Sequence, residues 1–241
     1  MSADKNEKLY RAIGMIDEKY IEEADMRKFK LSKKTILIAA AAAVMLCGSA
    51  VATNSIISGR VGSSSNKPVY TEPADSGTIL RDFGFGTELV KEFENGYVFK
   101  AAYKGDSRDI DSEGKAINEF NTLTCKYANG SEDVILSAEP AEYNSYEEYE
   151  TAGVYNGIEI VYSEQLYKFV PPDYVKTEQD EIDEVSGKYV FSYGSDEVEI
   201  SDFKWLGWMQ DGVAYSLSGH DISLTEQELM DMAEEVIDCQ T

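Results

Sequence analysis

Histidine is almost absent from this chain: His220 is the only one among 241 residues. A histidine-rich metal site is therefore excluded, as is a mechanism that needs a second imidazole. The motifs of serine hydrolases (G-x-S-x-G), phosphate-binding loops and zinc proteases (H-E-x-x-H) are absent as well. Carboxylates are so abundant that no pair stands out as the two acids of a glycosidase. We therefore expect no enzyme activity, no metal and no cofactor, and we expect His220 to pack or hydrogen-bond in a loop.

Two further features fall short of a bridging or binding motif. Cysteine is scarce; Cys47 lies in an apolar stretch, and Cys125 and Cys239 either form a disulfide or remain free thiols. The stretch Asp109–Gly114 resembles the start of a calcium-binding loop, with acids at positions 1, 3 and 5 and glycine at position 6. The loop needs a bidentate acid at position 12, where this chain has Phe120, so we expect a solvated turn.

Basic residues are outnumbered two to one, with 22 Lys and Arg against 45 Asp and Glu, and the net charge is −23. The acids are concentrated in the second part of the chain. Residues 1–34 carry nine basic and seven acidic side chains, whereas residues 60–241 carry 13 basic and 38 acidic ones, for a net charge of −25. Such a surface repels nucleic acid and anionic lipid. We therefore expect no nucleic-acid partner and interpret the charge as a means of solubility.

Between these two parts lies one long uncharged stretch, the 25 residues from Thr35 to Gly59. A helix needs about 20 residues to cross the hydrocarbon core of a bilayer, and residues 35–57 provide that length. We predict a transmembrane helix there. Two alternatives stay open: a signal peptide cleaved after the A-x-A sequence at Ala50–Ala52, and an alanine-rich core helix of a soluble protein.

The charged residues beside this stretch predict its orientation. Five basic residues precede it with no acid among them: Arg27, Lys28, Lys30, Lys33 and Lys34. Only Arg60 and Lys67 follow nearby. Because Lys and Arg are retained on the cytoplasmic side of a membrane, we place residues 1–34 in the cytoplasm and the C-terminal part of the chain outside the cell membrane.

Residues 7–25 predict an amphipathic helix on the cytoplasmic side. Its apolar stripe is formed by four residues at spacings of four, three and four: Leu9, Ile13, Ile16 and Tyr20. A single helix cannot bury such a stripe alone, so we expect it to bind a cytoplasmic partner protein or a second copy of itself. The inner leaflet is a weaker alternative because the helix carries several acids, and a solvated helix without a partner also stays open.

The residues beyond the predicted span divide into a linker and a domain. Residues 58–77 are rich in glycine, serine and proline, which is typical of a flexible spacer. From residue 78 onward, short apolar segments alternate with turn sequences, and Asn-Gly pairs at 95–96, 129–130 and 156–157 predict hairpins. We also expect a short helix at Tyr143–Tyr149 and an exposed acidic loop at Asp173–Ser186.

The last segment predicts a helix from Glu226 to about Asp238. Thr225 is the expected N-cap, and Glu228 completes a capping box. Five residues form its apolar face: Leu229, Met232, Ala233, Val236 and Ile237. The predicted fold class is therefore α+β: one transmembrane helix, and at residues 78–241 an extracytoplasmic antiparallel β-sheet domain with this helix packed on one face.

Two segments resemble known bacterial proteins. The sequence Leu9–Ala24, followed by the basic patch and a single span, is similar to the N-terminus of uncharacterised single-pass membrane proteins of Gram-positive Clostridia, some of which are described as anti-sigma-factor-like. The sequence Trp208–Gly219, followed by Leu224–Leu229, resembles an extracytoplasmic domain of unknown function. The resemblance implies a signalling role and brings no catalytic residues. Residues 1–34 lack the histidine and cysteines of zinc-type anti-sigma domains, which is a departure from that subclass.

Together these observations predict a bitopic signalling or regulatory protein of the cell membrane. Its outer domain senses or binds an extracytoplasmic ligand, and its inner helix contacts a cytoplasmic partner, either a sigma factor or a second copy of the helix. The alternative is an anchored extracytoplasmic binding or envelope-structural module without cytoplasmic signalling. A specific partner bound through residues 1–34 distinguishes the two.

Overall fold

The structure is a computed structural model, and it describes residue 57 and residues 59–240. This part of the chain contains nine strands: β1 (Gly59–Ser64), β2 (Val98–Ile110), β3 (Ala116–Asn129), β4 (Glu132–Pro140), β5 (Glu150–Tyr155), β6 (Ile158–Val170), β7 (Val190–Tyr193), β8 (Glu199–Gln210) and β9 (Val213–His220). It also contains three α-helices: α1 (Ser76–Phe83), α2 (Glu178–Val185) and α3 (Glu226–Cys239). A short 3₁₀ helix, Ala141–Tyr143, follows β4.

All nine strands belong to one sheet with the order β1–β2–β3–β4–β9–β8–β6–β5, and β7 lies beside the C-terminal half of β6. Every pairing is antiparallel except that of β6 with β7. The predicted α+β class is therefore confirmed, and the prediction of a purely antiparallel sheet is wrong for β7. The connection through α2 returns the chain to a point beside Tyr167, from which β7 runs in the same direction as β6 to Val170.

Two of the three predicted hairpins form between full strands. Asn156–Gly157 joins β5 to β6, whereas the loop between β3 and β4 is Gly130–Ser131, one residue later than predicted, because Asn129 still belongs to β3 and pairs with Glu132. Asn156 and Gly157 have φ angles of 49° and 81°, the left-handed conformation that a two-residue type I′ turn requires. The periodicity and the turn chemistry therefore agree at these positions.

The third predicted hairpin is only half formed. The turn at Asn95–Gly96 exists, and the Phe93 amide donates to the Tyr97 carbonyl at 2.9 Å. The segment before it has no regular secondary structure and pairs with β2 only through a single bridge, Glu92–Val98. The apolar side chains of this segment are buried in the core instead, so side-chain packing holds it where strand pairing was expected.

Helix α3 covers one face of the sheet, as predicted. The Thr225 hydroxyl accepts a hydrogen bond from the Glu228 amide, and the Glu228 carboxylate accepts one from the Thr225 amide at 2.8 Å. All five predicted apolar residues of α3 are fully buried, in one core with Trp208 of β8 and Tyr215 of β9. The prediction for this helix is confirmed to within one residue at its end.

The segment predicted as a flexible spacer, residues 58–77, contains regular structure. Gly59–Ser64 pairs residue by residue with β2, Tyr70 forms a bridge to Ala102, and α1 begins at Ser76. The prediction of a structureless linker is wrong for these residues. Strand β2 is 13 residues long and offers a free edge, so backbone pairing outweighs the low strand propensity of glycine and serine.

Two further local predictions are wrong. Asp173–Ser186 contains α2, because Thr177 and Asp180 form a capping box of the same kind as that of α3. The helix predicted at Tyr143–Tyr149 does not form; the single helical turn lies earlier, at Ala141–Tyr143, and residues 144–149 are irregular.

The predicted membrane span and the predicted inner helix, residues 7–25, lie outside the described residues, apart from residues 57 and 59 of the uncharged stretch. The same holds for the proposed partner-binding residues Leu9, Ile13, Ile16 and Tyr20. Among the residues that are described, no helix has the length and apolarity needed to cross a membrane.

Candidate functional site

Arg60 lies on β1, three residues beyond the end of the predicted span, and it is the centre of a buried polar cluster. Pairing of β1 with β2 places Arg60 directly opposite Asp109. β4 and the residues that follow it bring Glu139, Tyr143 and Asn144 to the same place. The cluster therefore joins the first described strand to the middle of the sheet.

Every nitrogen of the Arg60 guanidinium donates a hydrogen bond. Nε donates to Asp109 Oδ1 at 2.8 Å. Nη1 donates to Glu139 Oε1 at 3.1 Å and to Asn144 Oδ1 at 3.2 Å, and Nη2 donates to the Tyr143 carbonyl at 2.5 Å. The guanidinium carbon also lies 4.7 Å from the centre of the Phe120 ring. This geometry uses the planar, multidentate donor set that distinguishes arginine from lysine.

Two carboxylates share this one cation. Asp109 is 1% exposed and Glu139 is 8% exposed, so both are removed from water. Burial raises the pKa of Glu139, while Arg60 and the Asn144 side chain oppose the rise. The second oxygen of Asp109 accepts a hydrogen bond from Asn118 at 3.1 Å. Without Arg60 the two carboxylates would remain buried with no cation, which is a costly arrangement.

Residues 141–149, here called the strap, contact both the Arg60 cluster and an aromatic cluster formed by Tyr146, Tyr149 and Trp205. The Tyr143 ring stacks on Phe120 with 4.6 Å between centroids. The rings of Tyr146 and Tyr149 contact the Trp205 ring of β8, with 5.3 and 4.7 Å between ring centroids. Because one short segment contacts both clusters, a displacement of the strap would disturb the hydrogen bonds of Arg60.

The cluster has the chemistry of an anchor. Four of the five N–H donors of Arg60 are occupied by groups of the protein, and the acceptors lie on three separate segments. No nucleophile lies beside a general base here. Charge pairing and hydrogen bonding in a buried place are what this arrangement supplies.

His220 is the other residue with reactive potential, and its geometry is not that of a catalytic triad. Its Nδ1 lies 2.9 Å from Ser201 Oγ, and Ser201 Oγ donates to Asp221 Oδ2 at 3.0 Å. In a triad the imidazole lies between the serine and the acid, whereas here the serine lies between the other two. Burial among aromatic rings lowers the pKa of His220 to about 4, so the ring is neutral near pH 7. His220 packs and hydrogen-bonds as expected, but it is the last residue of β9 and does not lie in a loop.

Two further features were singled out from the sequence: the calcium-like stretch Asp109–Gly114, and the cysteines Cys125 and Cys239. Asp109 of the calcium-like stretch binds Arg60, and Asp111 Oδ1 accepts hydrogen bonds from the amides of Glu113 and Lys115 at 2.9 and 3.0 Å. Cys125 is buried and Cys239 is exposed, and they are not bridged. The disulfide alternative is therefore wrong.

Sequence reasoning missed the Arg60 cluster. Arg60 entered only as one of two basic residues beyond the uncharged stretch, and its partners lie 49 to 84 residues away. The only local signal was an isolated arginine at the boundary of that stretch. Recognising its partners would have required the register of β1 on β2.

Comparisons with protein-family models, with curated proteins and with solved structures found no match. The function is therefore inferred from the residues and their geometry.

Proposed function

We propose that this chain is a bitopic regulatory protein of the cell membrane, whose outer domain is attached to its transmembrane helix without a flexible spacer. The observation that supports this proposal is the position of β1. The strand begins at Gly59, two residues beyond the predicted span at residues 35–57, and it pairs with β2 from its first residue.

A direct attachment matters because coupling between two sites requires an element that both sites bias. A long spacer would let the outer domain reorient freely relative to the membrane. With β1 fixed to the sheet by strand pairing and by Arg60, a change in the outer domain that shifts the strap would also shift the residues that lead into the span. Arg60 is thus proposed as the coupling residue between the sheet and the membrane helix.

The output of this coupling is proposed to be the inner helix. Its stripe of Leu9, Ile13, Ile16 and Tyr20 would contact a cytoplasmic protein, and the likeness to anti-sigma-factor-like membrane proteins favours a sigma factor. A second copy of the helix is the other partner of suitable chemistry. Apolar area would drive either association, at about 25 cal/mol per Å² before ordering costs.

The test combines a partner assay with an uncoupling insertion. A photo-crosslinking amino acid at Ile16 reports the cytoplasmic contact in cells, and Ile13→Asp should abolish the crosslink. Insertion of about ten Gly and Ser residues after Ser58 should change the crosslink yield, because it introduces the spacer that the chain lacks. The same insertion after Gly114, in the exposed turn between β2 and β3, is the control and should have no effect.

The outcomes distinguish the two functions. If neither Ile13→Asp nor the insertion after Ser58 changes the crosslink, the inner helix is only an anchor and the chain is an extracytoplasmic module. If Ile13→Asp abolishes the crosslink and the insertion is silent, the partner is real but the direct attachment does not carry a signal. The proposed orientation has its own test, in which protease is added to intact cells. Removal of the N-terminus with residues 60–241 left intact would refute it.

A further inference from the structure

Helix α2 exposes its apolar residues to solvent and buries acids, which is the reverse of an ordinary surface helix. Glu178, Glu181, Ile182 and Val185 follow the spacing i, i+3, i+4 and i+7 and therefore share one face. That face points to solvent: Ile182 is 55% exposed and Val185 is 89% exposed. The buried residues of the helix are two acids, Asp180 and Asp183.

The inward face is held by polar contacts. Asp180 accepts hydrogen bonds from Lys168 Nζ at 2.5 Å, from the Tyr174 hydroxyl at 2.7 Å and from the Thr177 amide at 2.8 Å. Asp183 accepts from Lys188 Nζ at 2.9 Å. These contacts fix α2 to β6 and to the residues that precede β7 without help from its apolar side chains.

The outward apolar residues are thus not needed to attach α2, and they extend beyond the helix. Val175, two residues before the N-cap, is 83% exposed. Ile182 and Val185 line a shallow groove together with Glu178, Glu181 and Ser186. A cluster of exposed apolar side chains with polar groups at its rim is typical of an interaction surface.

Three kinds of occupant could cover this groove: a second copy of the chain, an anionic lipid surface, or a basic amphipathic segment of another protein. The charges around the groove distinguish them. A second copy of this chain is disfavoured, because residues 60–241 carry a net charge of −25 and repel one another. Anionic lipid is disfavoured for the same reason. A segment that carries both apolar residues and lysine or arginine satisfies Ile182 and Val185 as well as the carboxylates of Glu178 and Glu181.

We propose that the outward face of α2 is a docking surface for a cationic amphipathic segment of another protein. Apolar side chains of the partner would cover Ile182 and Val185, and its basic side chains would pair with Glu178 and Glu181. The inference concerns the described domain alone and is independent of the proposed inner-helix contact.

The test uses the full-length chain in nanodiscs of phosphatidylcholine and a fluorescent helical peptide of about 18 residues with lysine on one face and leucine on the other. Fluorescence anisotropy, corrected for empty nanodiscs, should detect binding. The double variant Ile182→Ser/Val185→Ser should weaken it about tenfold. Val154→Ser is the matched control, since Val154 is 67% exposed on β5, and it should leave the affinity unchanged.

The electrostatic half of the proposal has its own control. Glu181→Gln should weaken binding and reduce its dependence on salt, whereas Glu150→Gln, an exposed acid on β5, should do neither. A peptide of equal charge with serine in place of leucine should bind at least tenfold more weakly.

Three results would overturn the proposal. The first is unchanged affinity in the double variant, and the second is equal binding of the serine-substituted peptide, which would reduce the contact to general charge attraction. The third is self-association of the chain in sedimentation that Val185→Ser abolishes, because this would assign the surface to a second copy.

Discussion

Helices α2 and α3 begin in the same way and bury opposite kinds of residue. Each has a threonine N-cap and a capping box, formed by Thr177 with Asp180 in α2 and by Thr225 with Glu228 in α3. Helix α3 then buries Leu229, Met232 and four further apolar residues, whereas α2 buries only two acids and exposes its isoleucine and valine.

The difference shows that a capping box decides where a helix begins, while the neighbouring surface decides which face is buried. Beside α3 the strands β8 and β9 offer apolar side chains. Beside α2, strand β6 offers Lys168, whose side chain is 16% exposed and whose Nζ lies within about 6 Å of the rings of Tyr174, Tyr189 and Phe191. A cation held in such a place requires an anion nearby, and Asp180 provides it.

Strand β1 follows the α2 pattern at the other end of the sheet. Its side chains are mostly exposed, and the buried contact that it makes is the ion pair of Arg60 with Asp109 and Glu139. The domain thus has a core held by apolar packing and two peripheral elements held by buried charges. Variants of each kind test this division.

The largest effect is expected from Arg60→Met. Removal of one partner from a buried ion pair costs about 3–5 kcal/mol, because the remaining charges are uncompensated. Urea unfolding followed by the fluorescence of Trp205 and Trp208, the two tryptophans of the chain, measures the loss. Arg108→Met, which removes an exposed cation from β2, should change stability by less than about 0.5 kcal/mol.

A second substitution shows whether the loss arises from charge. The double variant Arg60→Met/Glu139→Gln should recover part of the stability, because it leaves only Asp109 without a cation. If the double variant is as unstable as Arg60→Met, then lost packing against Phe120 and not unpaired charge accounts for the effect.

The next effect separates the two helices directly. Leu229→Ala creates a cavity in the core and should cost about 2–5 kcal/mol, since Leu229 is fully buried. Ile182→Ala at the half-exposed position of α2 should cost less than about 0.5 kcal/mol. The same urea titration measures both. Similar losses in the two variants would mean that α2 is attached by apolar contacts after all, and the contrast between the helices would fail.

The sequence predicted those parts of the fold whose signals are local. The Asn156–Gly157 turn, the capping box at Thr225 and the apolar spacing of α3 each lie within a few residues, and each was correct. Helix α2 has a capping box as clear as that of α3 but only two apolar residues, so the helical period was not visible among its acids. An apolar face therefore could not predict this helix, whereas its capping box could have done so.

The candidate site could not be predicted for a different reason. Arg60 and Glu139 are 79 residues apart, and they meet only because β1 adds to an edge that three later strands create. A region rich in glycine and serine has the composition of a spacer, and composition carries no information about a free strand edge elsewhere. Long-range pairing of this kind becomes visible only in the folded sheet.

The smallest global effect is expected from Asp180→Asn, which tests the polar attachment of α2. Asparagine retains an oxygen that can accept from the Thr177 amide but removes the negative charge beside Lys168. We expect the amide hydrogens of residues 178–185 to exchange faster while those of α3 remain protected, because only the peripheral helix is released. Glu181→Gln, on the outward face of the same helix, should leave the exchange unchanged.

The pair with Lys168 holds the pKa of Asp180 below its ordinary value of 3.8. The protection it gives is therefore present at pH values above about 4 and is lost as the pH falls through the lower pKa of the folded state. Wild type and Asp180→Asn should accordingly differ most between pH 5 and 7, by the protection factors corrected for intrinsic rates, and should converge in strong acid. Equal protection of α2 in the two proteins at pH 7 would show that buried charge does not hold this helix.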